Sequence, residues 1–339
     1  MNKLNTQHGI VTKCVGGLYT VRLTCSDGDA KYIECRARGR FRHDGMSPLP
    51  GDDVRVVEGD DALSGEYVLD EILPRHSELI RPPMANLTHL FLLIPSCRPK
   101  PDLLTADKIT AIAEHSGVEI VAVAGKADMD PESAENIRKI YSDAGFAAFA
   151  VSAVTGEGIR ELADYISASA EDGARRDMPM RAAFVGVSGA GKSTLMSAIF
   201  PNLSLATGKL SNKTMRGRHT TRAVELFYLK SPSENCDECF YLADTPGFSM
   251  LDFTGYNFFP AEDLAENFRE IAPLLGNCRY TKCTHTKEEG CAVLEAVADG
   301  KISKQRHESF CRIYDELRAK PEWKRLRELE SQNGKCRRK

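Results

Sequence analysis

The residues with the clearest chemical meaning form the segment Gly186-Val187-Ser188-Gly189-Ala190-Gly191-Lys192-Ser193, which fits the phosphate-loop pattern G-x-x-x-x-G-K-[ST]. Its glycines let backbone N–H groups surround phosphate oxygens, and the helix that follows adds a positive dipole end. We expect Lys192 to contact the β- and γ-phosphates, Ser193 to bind Mg²⁺ and Thr194 to belong to the same site. The loop begins past the midpoint of a 339-residue chain, which is late for a phosphate-binding enzyme.

A second motif, Asp244-Thr245-Pro246-Gly247, follows a short apolar stretch further along the chain. An acid at the end of a strand suits Mg²⁺, so we expect Asp244 to hold the ion through water and the Gly247 N–H to face the γ-phosphate. Between the two motifs, a threonine hydroxyl is expected to complete the Mg²⁺ shell. Thr220 and Thr221 can both serve, and the sequence does not choose between them.

A base-reading motif of the form Asn-Lys-x-Asp is absent from the sequence after the second motif. Asn212-Lys213-Thr214-Met215 begins correctly but lacks the Asp, and we interpret it as a chance match. Upstream, the strand-like stretch Glu119 to Ala124 runs into Gly125-Lys126-Ala127-Asp128, and a second such stretch runs into Ser152-Ala153. Open α/β sheets bind ligands beyond the carboxyl ends of their strands. We therefore predict that these two upstream turns contact the nucleotide base.

Four potential metal ligands lie close together near the C-terminus. Cys278, Cys283, His285 and Cys291 have the spacing C-x4-C-x-H-x5-C. Three thiolates and one imidazole suit a closed tetrahedral Zn²⁺ site, in which every position is filled by protein. We predict one structural zinc ion there.

A second pair, Cys236 and Cys239, also has C-x-x-C spacing, but no other ligand pair lies near it in the sequence. We interpret these residues as solvent-facing thiols in a hairpin loop, with a redox pair or a partial metal site as the alternative. The remaining cysteines have no partner spacing and are expected to be structural or incidental: Cys14, Cys25, Cys35, Cys97, Cys311 and Cys336.

The elements that must position these motifs divide into three predicted parts. Residues 1–75 read as about five short strands separated by Gly-containing turns, which favours a small barrel such as an OB-fold. Residues 76–255 alternate strand-like and helix-like stretches, which is typical of an α/β parallel sheet, with a charged linker predicted at 171–180. Residues 256–339 turn helical and carry the predicted zinc site. The predicted class is thus a multidomain chain with a barrel, an α/β phosphate-loop domain and a mainly helical zinc-binding domain.

Composition excludes little beyond membrane and export classes. The chain is 42% hydrophobic and 27% charged, with a net charge of −3. No signal-peptide-like or membrane-spanning apolar run is present, so we expect a cytoplasmic protein with no membrane partner. Eleven cysteines in such a chain favour thiols or metal ligands over disulfides.

Two local basic segments could still bind RNA. Arg36, Arg38, Arg40 and Arg42 alternate, so an extended backbone would place them on one face of the barrel. Phe41 between them could stack on a base or point into the barrel. The segment 320–339 holds eight Lys or Arg and three Glu, and it could follow RNA phosphates or keep the chain end soluble.

The order of the motifs carries a resemblance to a known family. The motifs follow the order of a circularly permuted GTPase: base-reading loop, Ser-Ala turn, phosphate loop, switch threonine and Asp-Thr-Pro-Gly. With the barrel and the Cys/His cluster, the chain resembles the bacterial ribosome small subunit-dependent GTPase A family from about residue 8 to about residue 315. The resemblance implies that the chain binds GTP and GDP, Mg²⁺ and one zinc ion. It also implies a monomeric protein whose partners are the small ribosomal subunit and its rRNA, and whose slow GTP hydrolysis the subunit stimulates.

Two positions depart from the patterns of related enzymes. Gly125 stands where the family has the Asn that contacts the base and ties the base loop to the phosphate loop, so we expect weaker nucleotide binding with guanine still preferred through Asp128. Phe248 stands where Ras-like enzymes have the Gln that orients water, so unassisted hydrolysis should be slow. His219 is a candidate water-positioning residue, and an exposed loop histidine is the alternative reading.

Two other functions remain open at this point. An ATP-using phosphate-loop transferase would prefer ATP and need a small-molecule acceptor site, and Gly125 leaves room for it. The second is an RNA-binding module with a regulatory nucleotide and little hydrolysis, which Phe248 in place of a water-orienting Gln leaves open.

Overall fold

The structure of the protein is a computed structural model that describes residues 6–24, 31–39, 41, 46–58, 67–80, 83–201, 224–233, 236–244 and 258–319. Within these residues eleven strands form one continuous sheet that extends from the N-terminal part into the central part. A short separate hairpin of β6 (Glu78–Ile80) and β7 (Pro83–Ala85) leads from the barrel into the central part and was not predicted.

The N-terminal part is the five-stranded, OB-like barrel that the turn pattern predicts. Its strands are β1 (Thr6–Val15), β2 (Leu18–Leu23), β3 (Lys31–Ala37), β4 (Asp53–Glu58) and β5 (Tyr67–Ile72). The order β1-β2-β3-β5-β4 closes because β4 also pairs with β1. Apolar residues alternate along the strands and fill the interior, where Val11, Val21 and Val54 are fully buried. Phe41 joins this core at 5% exposure, so it is not a stacking surface.

The central part is an α/β domain built on the rest of the sheet. Its strands are β8 (His89–Pro95), β9 (Glu119–Gly125), β10 (Ala147–Val151), β11 (Arg181–Val185), β12 (Glu225–Lys230) and β13 (Cys239–Asp244). All are parallel except β12. The helices are α1 (Leu103–His115), α2 (Pro131–Asp143), α3 (Ile159–Arg175) and α4 (Lys192–Ile199). Asp102 and Asp130 cap α1 and α2 by accepting from backbone N–H groups three residues on.

The charged stretch 171–180 is not wholly a linker, and that prediction is wrong in its first half. Helix α3 continues through Arg175, with ion pairs of i,i+4 spacing between Glu171 and Arg175 and between Asp172 and Arg176. Such pairs stabilise an exposed helix, so a high charge density did not mark its end here.

The barrel and the α/β domain are joined where β1 pairs with β12, and a few polar contacts support this junction. Residue Lys13 on β1 pairs with Glu225 on β12, and their side chains form an ion pair of 2.7 Å. Arg22 of the barrel lies 3.5 Å above the Tyr228 ring, a cation–π contact. Between β11 and β4 of the barrel, the buried Arg181 guanidinium donates to Asp53 at 2.6 Å. The strand that receives the barrel is therefore the one that follows the predicted switch segment.

The C-terminal part has two 3₁₀ helices (Ala261–Asn267 and Ala272–Leu274), then α5 (Ala292–Ala298) and α6 (Lys304–Arg318). It packs on α1 around a buried charge cluster. Arg306 of α6, 1% exposed, donates to Asp107 of α1 at 2.6 Å and pairs with both oxygens of Glu270. Tyr141 of α2 donates to the same Asp107 oxygen at 2.8 Å. Removing one partner of such a cluster leaves a buried charge uncompensated.

We expect Arg306→Ala to lower the free energy of unfolding by about 3–5 kcal/mol, the usual cost of breaking a buried ion pair from one side. Urea denaturation followed by circular dichroism measures the loss. Arg312→Ala is the matched control, because Arg312 is exposed on the same helix. Equal stability of the two variants would contradict the assignment of Arg306 as the anchor of the C-terminal part.

Candidate functional site

The phosphate-loop segment connects β11 to α4, the strand-loop-helix setting that its pattern requires. Gly186 has φ +155°, and a Cβ there would lie 2.4 Å from the Leu93 carbonyl oxygen of neighbouring β8. No side chain fits at that distance, so the loop turns away from the sheet only with glycine at this position. Ser188 and Gly189 are exposed at the tip, where their N–H groups can meet a ligand.

Lys192 begins α4 and folds back across the loop. Its Nζ donates to the carbonyls of Gly186 at 2.6 Å and Val187 at 3.2 Å. Burial lowers the pKa of Lys192 from its ordinary value. Ser193 and Thr194 are exposed in the first turn of α4. The loop thus presents one partly desolvated ammonium and two free hydroxyl-bearing residues at the positive end of a helix.

The first predicted base-reading loop lies directly beside the phosphate loop. Lys126 has a left-handed backbone, φ +62°, and its Nζ donates to the carbonyls of Gly189, at 2.8 Å, and Arg98. Ser96, at the end of β8, fixes the same loop by donating through its N–H to the Gly125 carbonyl and through its hydroxyl to the Lys126 carbonyl. Three loops that are far apart in sequence therefore meet at Lys126. The sequence pattern had not identified the contribution of residues 96–98.

The second base-reading loop holds the acid of the first. The Ser152 hydroxyl donates to Asp128 Oδ1 at 2.6 Å and accepts from the N–H groups of Val154 and Thr155. Ser152 is fully buried, whereas Asp128 is exposed. Among the described residues the Ala153 N–H has no hydrogen-bond acceptor. The loop pair therefore offers a free carboxylate oxygen beside a free backbone donor.

A cavity of about 150 Å³ lies between these loops and the phosphate loop. Lys126, Asp128, Ala153, Gly191 and Thr194 line it, together with Leu93, Gly125, Met129, Val151, Val154, Ala190 and Leu195. Met129 and Val154 are apolar yet 56% and 79% exposed, which suits the faces of a planar base. Sequence reasoning missed both, because only the folded loops show that they flank one cavity.

A larger cavity of about 480 Å³ lies at the amino ends of the parallel strands, with His89 and Glu119 in its wall. Ligands of open α/β sheets bind at the carboxyl ends. The smaller cavity, which the predicted residues line, therefore lies at the edge where such a sheet binds ligands.

The γ-phosphate side of the site is described only in part. β13 runs parallel to β11, and its last residue is Asp244, so the Asp244 backbone lies at the same edge as the phosphate loop. The other predicted residues of this side lie outside the described part of the chain: His219, Thr220, Thr221, Gly247 and Phe248.

The predicted zinc ligands converge. The donor atoms of Cys278, Cys283, His285 and Cys291 all lie within 4.8 Å of one another. Cys278 Sγ is 3.8 Å from Cys291 Sγ, and His285 Nδ1 is 3.5 Å and 3.6 Å from these two sulfurs. Bond lengths of about 2.3 Å for Zn–S and 2.0 Å for Zn–N in a tetrahedron give edges of about 3.8 Å and 3.5 Å. The cluster is therefore compatible with Zn²⁺.

The protonation of the cluster also suits a metal. Burial, the largest influence, lowers the pKa of His285, which favours the neutral imidazole that binds metals. Burial raises the pKa of the Cys283 thiol to about 12, with its neighbouring sulfurs as smaller causes, so a metal must displace a proton there.

The other cysteine pair does not form such a site. Cys236 is 3% exposed, and its Sγ donates to the Ser167 carbonyl of α3 at 3.7 Å. The prediction that both thiols face solvent is therefore wrong for Cys236, because the β12–β13 hairpin folds back onto α3. Cys239 opens β13 and is partly buried.

A family model described as RsgA GTPase matches residues 72–254. The chain belongs to the RsgA GTPase family. A second model, described as RsgA N-terminal domain, matches residues 8–64. Members of the RsgA family are GTP hydrolases, and the chain is accordingly a GTP hydrolase.

Relatives of this RsgA-family chain match it over nearly their full length. Two of them are named small ribosomal subunit biogenesis GTPase RsgA. The protein from Ruminiclostridium cellulolyticum is 34% identical over 94% of this chain and 96% of its own length. The protein from Caldanaerobacter subterraneus is 38% identical over 92% of this chain and 96% of its own length. Two crystal structures share the fold. YjeQ from Thermotoga maritima has a TM-score of 0.72 at 28% identity, covering 93% of this chain and 100% of YjeQ. YloQ, described as a circularly permuted GTPase, has a TM-score of 0.70 at 29% identity, and the match covers 95% of this chain and 99% of YloQ. The central domain of this chain has that permuted order, because β8 to β10 precede the phosphate-loop strand β11.

Among the described residues, no helix is long and apolar enough to cross a bilayer.

We expect Ser152→Ala to weaken guanine-nucleotide binding about 5- to 30-fold in this RsgA-family chain, because loss of one charge-assisted hydrogen bond costs about 1–2 kcal/mol and frees Asp128. Titration with a fluorescent GDP analogue measures the dissociation constant. Ser142→Ala, at an exposed position of α2, should bind as the unmodified protein does. Unchanged binding in both variants would mean that Ser152 does not position the base-reading acid.

Proposed function

We propose that this RsgA-family GTPase acts in small ribosomal subunit biogenesis, where it binds the subunit and its rRNA late in maturation and hydrolyses GTP slowly until the subunit stimulates it. The observation that carries the proposal is the convergence of Asp128, Ser152 and the phosphate loop on one cavity. It is supported by relatives named for that process over 92–94% of this chain.

The proposed guanine contacts come from the two base-reading loops. Guanine has an N–H edge at N1 and N2 and an acceptor at O6. The free oxygen of Asp128 would accept from the N–H edge, and the Ala153 N–H would donate to O6. Adenine presents an amino donor where guanine has O6, so an unpaired N–H at Ala153 would oppose a second donor. This arrangement disfavours the ATP-using transferase.

The phosphate contacts follow the same assignment. Backbone N–H groups of residues 186–191 would surround the β-phosphate, with Lys192 released from its carbonyl partners to meet the β- and γ-oxygens. We assign Mg²⁺ to Ser193, to Asp244 through water, and to Thr220 or Thr221. The Gly247 N–H would face the γ-phosphate, and the role of His219 in placing water stays a prediction.

The metal site is proposed to hold one structural Zn²⁺ through Cys278, Cys283, His285 and Cys291. The donor-atom spacing and the Cys3His donor set support this assignment. The ion would join the two ends of the loop before α5, with no position open for substrate.

The domains, location and RNA surface are proposed together. The barrel at 1–75, the GTPase domain at 76–255 and the zinc-binding part at 256–339 would act as a monomer in the cytoplasm. Arg36 is exposed on β3 and can meet phosphate, whereas Arg38 is paired with Asp70 at 2.7 Å. Arg40, Arg42 and residues 320–339 lie outside the described part of the chain.

Phosphate release measured with and without purified small ribosomal subunits tests the proposal. We expect slow release from GTP alone, strong stimulation by the subunit, and little release from ATP under either condition. Large ribosomal subunits serve as the control particle. Subunit binding without stimulated release would favour the RNA-binding module, and equal turnover of ATP would favour the transferase.

A second prediction concerns Gly125, which lines the cavity beside Leu93. A Cβ at this position would lie 2.7 Å from Leu93 Cδ1, and Leu93 is 2% exposed within a packed core. Although the sequence attributes weaker binding to the missing Asn, we expect Gly125→Asn to lower GTP affinity further, by about 5- to 150-fold, because overpacking costs about 1–3 kcal/mol. Gly125→Asn with Leu93→Ala should bind more tightly than Gly125→Asn alone. Leu93→Ala alone is the control, and tighter GTP binding by the single Gly125→Asn variant would contradict the steric account.

A further inference from the structure

His285 differs from the other ligands of the metal cluster in its backbone. All four ligands are described, and among them only His285 has a left-handed conformation, with φ +60°. That region is sparsely populated by residues with a side chain, so neighbouring groups must hold the conformation. The contacts around residue 285 therefore determine whether its imidazole faces the sulfurs.

The residues on both sides of His285 are fixed by one carboxylate. Glu288 Oε1 accepts from the Thr284 N–H at 2.9 Å and from the Thr284 hydroxyl. Its Oε2 accepts from the N–H groups of Thr286 and Lys287, each at 3.1 Å. These bonds lower the pKa of Glu288 to about 2 although burial opposes them. The carboxylate therefore sets the path of the loop through the neighbours of residue 285.

The His285 peptide is held from α6. Its carbonyl oxygen lies 2.8 Å from His307 Nε2, and the two histidines are 7% and 8% exposed. A carbonyl oxygen only accepts, so His307 Nε2 must carry the proton. The His307 ring stacks beside Phe310, with ring centroids 6.1 Å apart, and Arg306, one residue earlier, is fixed by Asp107 and Glu270. His307 therefore approaches residue 285 from a rigid helix.

We propose that His307 is a positioning residue of the metal site, whose Nε2–H holds the His285 peptide in its left-handed conformation and so presents the imidazole to the three sulfurs. The inference rests on the zinc assignment proposed above and adds a residue 22 positions away in sequence from the ligand it orients. Residues that orient metal ligands in this way typically affect metal affinity about 10- to 100-fold when changed.

Metal binding by full-length variants tests the inference. His307→Phe keeps a ring beside Phe310 but removes the donor, His307→Leu removes both, and His307→Gln retains an N–H donor. Competition for Zn²⁺ against a chromophoric chelator gives the affinity, and the visible absorption of the Co²⁺-loaded protein reports tetrahedral coordination. We expect the Phe and Leu variants to lose about 10- to 100-fold in Zn²⁺ affinity and the Gln variant to lose less. Glu308→Gln, at the adjacent exposed position, is the control.

The outcomes separate this inference from the zinc assignment. Failure of the unmodified protein to bind one Zn²⁺ would overturn the assignment and the inference with it. If the unmodified protein binds Zn²⁺ but neither donor-free variant changes the affinity or the Co²⁺ spectrum, His307 has no positioning role. Losses in the Leu and Gln variants, with affinity retained in the Phe variant, would show that ring packing and not the Nε2–H supports the site. GDP affinity and circular dichroism of each variant verify that it is folded.

Discussion

The parallel pairing of β8 with β11 is the constraint on which the nucleotide site depends. It places Leu92 opposite Val185, one residue before the phosphate loop begins, and β9 pairs on the other side of β8. The carboxyl ends of all three strands therefore meet at one edge, although their loops follow an unusual order along the chain. Parallel strands impose this convergence whatever the order of their connections. A permuted sequence can thus keep an intact site.

The close approach at that edge explains which side chains are tolerated there. Gly186 lies against the Leu93 carbonyl, and Gly125 lies against the Leu93 side chain. One residue of β8 therefore limits both the phosphate loop and the first base-reading loop. The polar bonds between the loops come from Lys126 and Ser96, which reach across from positions where a side chain has room. Where these loops meet, Leu93 limits the size of the residues beside it, whereas Lys126 and Ser96 supply the hydrogen bonds.

The sequence could predict the parts of this arrangement that depend on local chemistry. The phosphate loop lies between strand and helix, and the four predicted metal ligands meet, because glycine positions and ligand spacing are features of short segments. It could not predict that α3 extends to Arg175, that Cys236 is buried against Ser167, or that β12 joins the barrel to the central sheet. Those features depend on contacts between residues far apart in sequence, and charge or thiol patterns do not specify them.

Helix α1 connects the two sites that the sequence treats as separate. The loop before it contacts Lys126 through the Arg98 carbonyl, and Asp107 within it holds Arg306 of α6. Displacing α1 from α6 would separate buried charges, at a cost of about 3–5 kcal/mol. Because α6 also carries His307, a series of direct contacts runs from Lys126 through α1 and α6 to the loop of the Cys/His cluster.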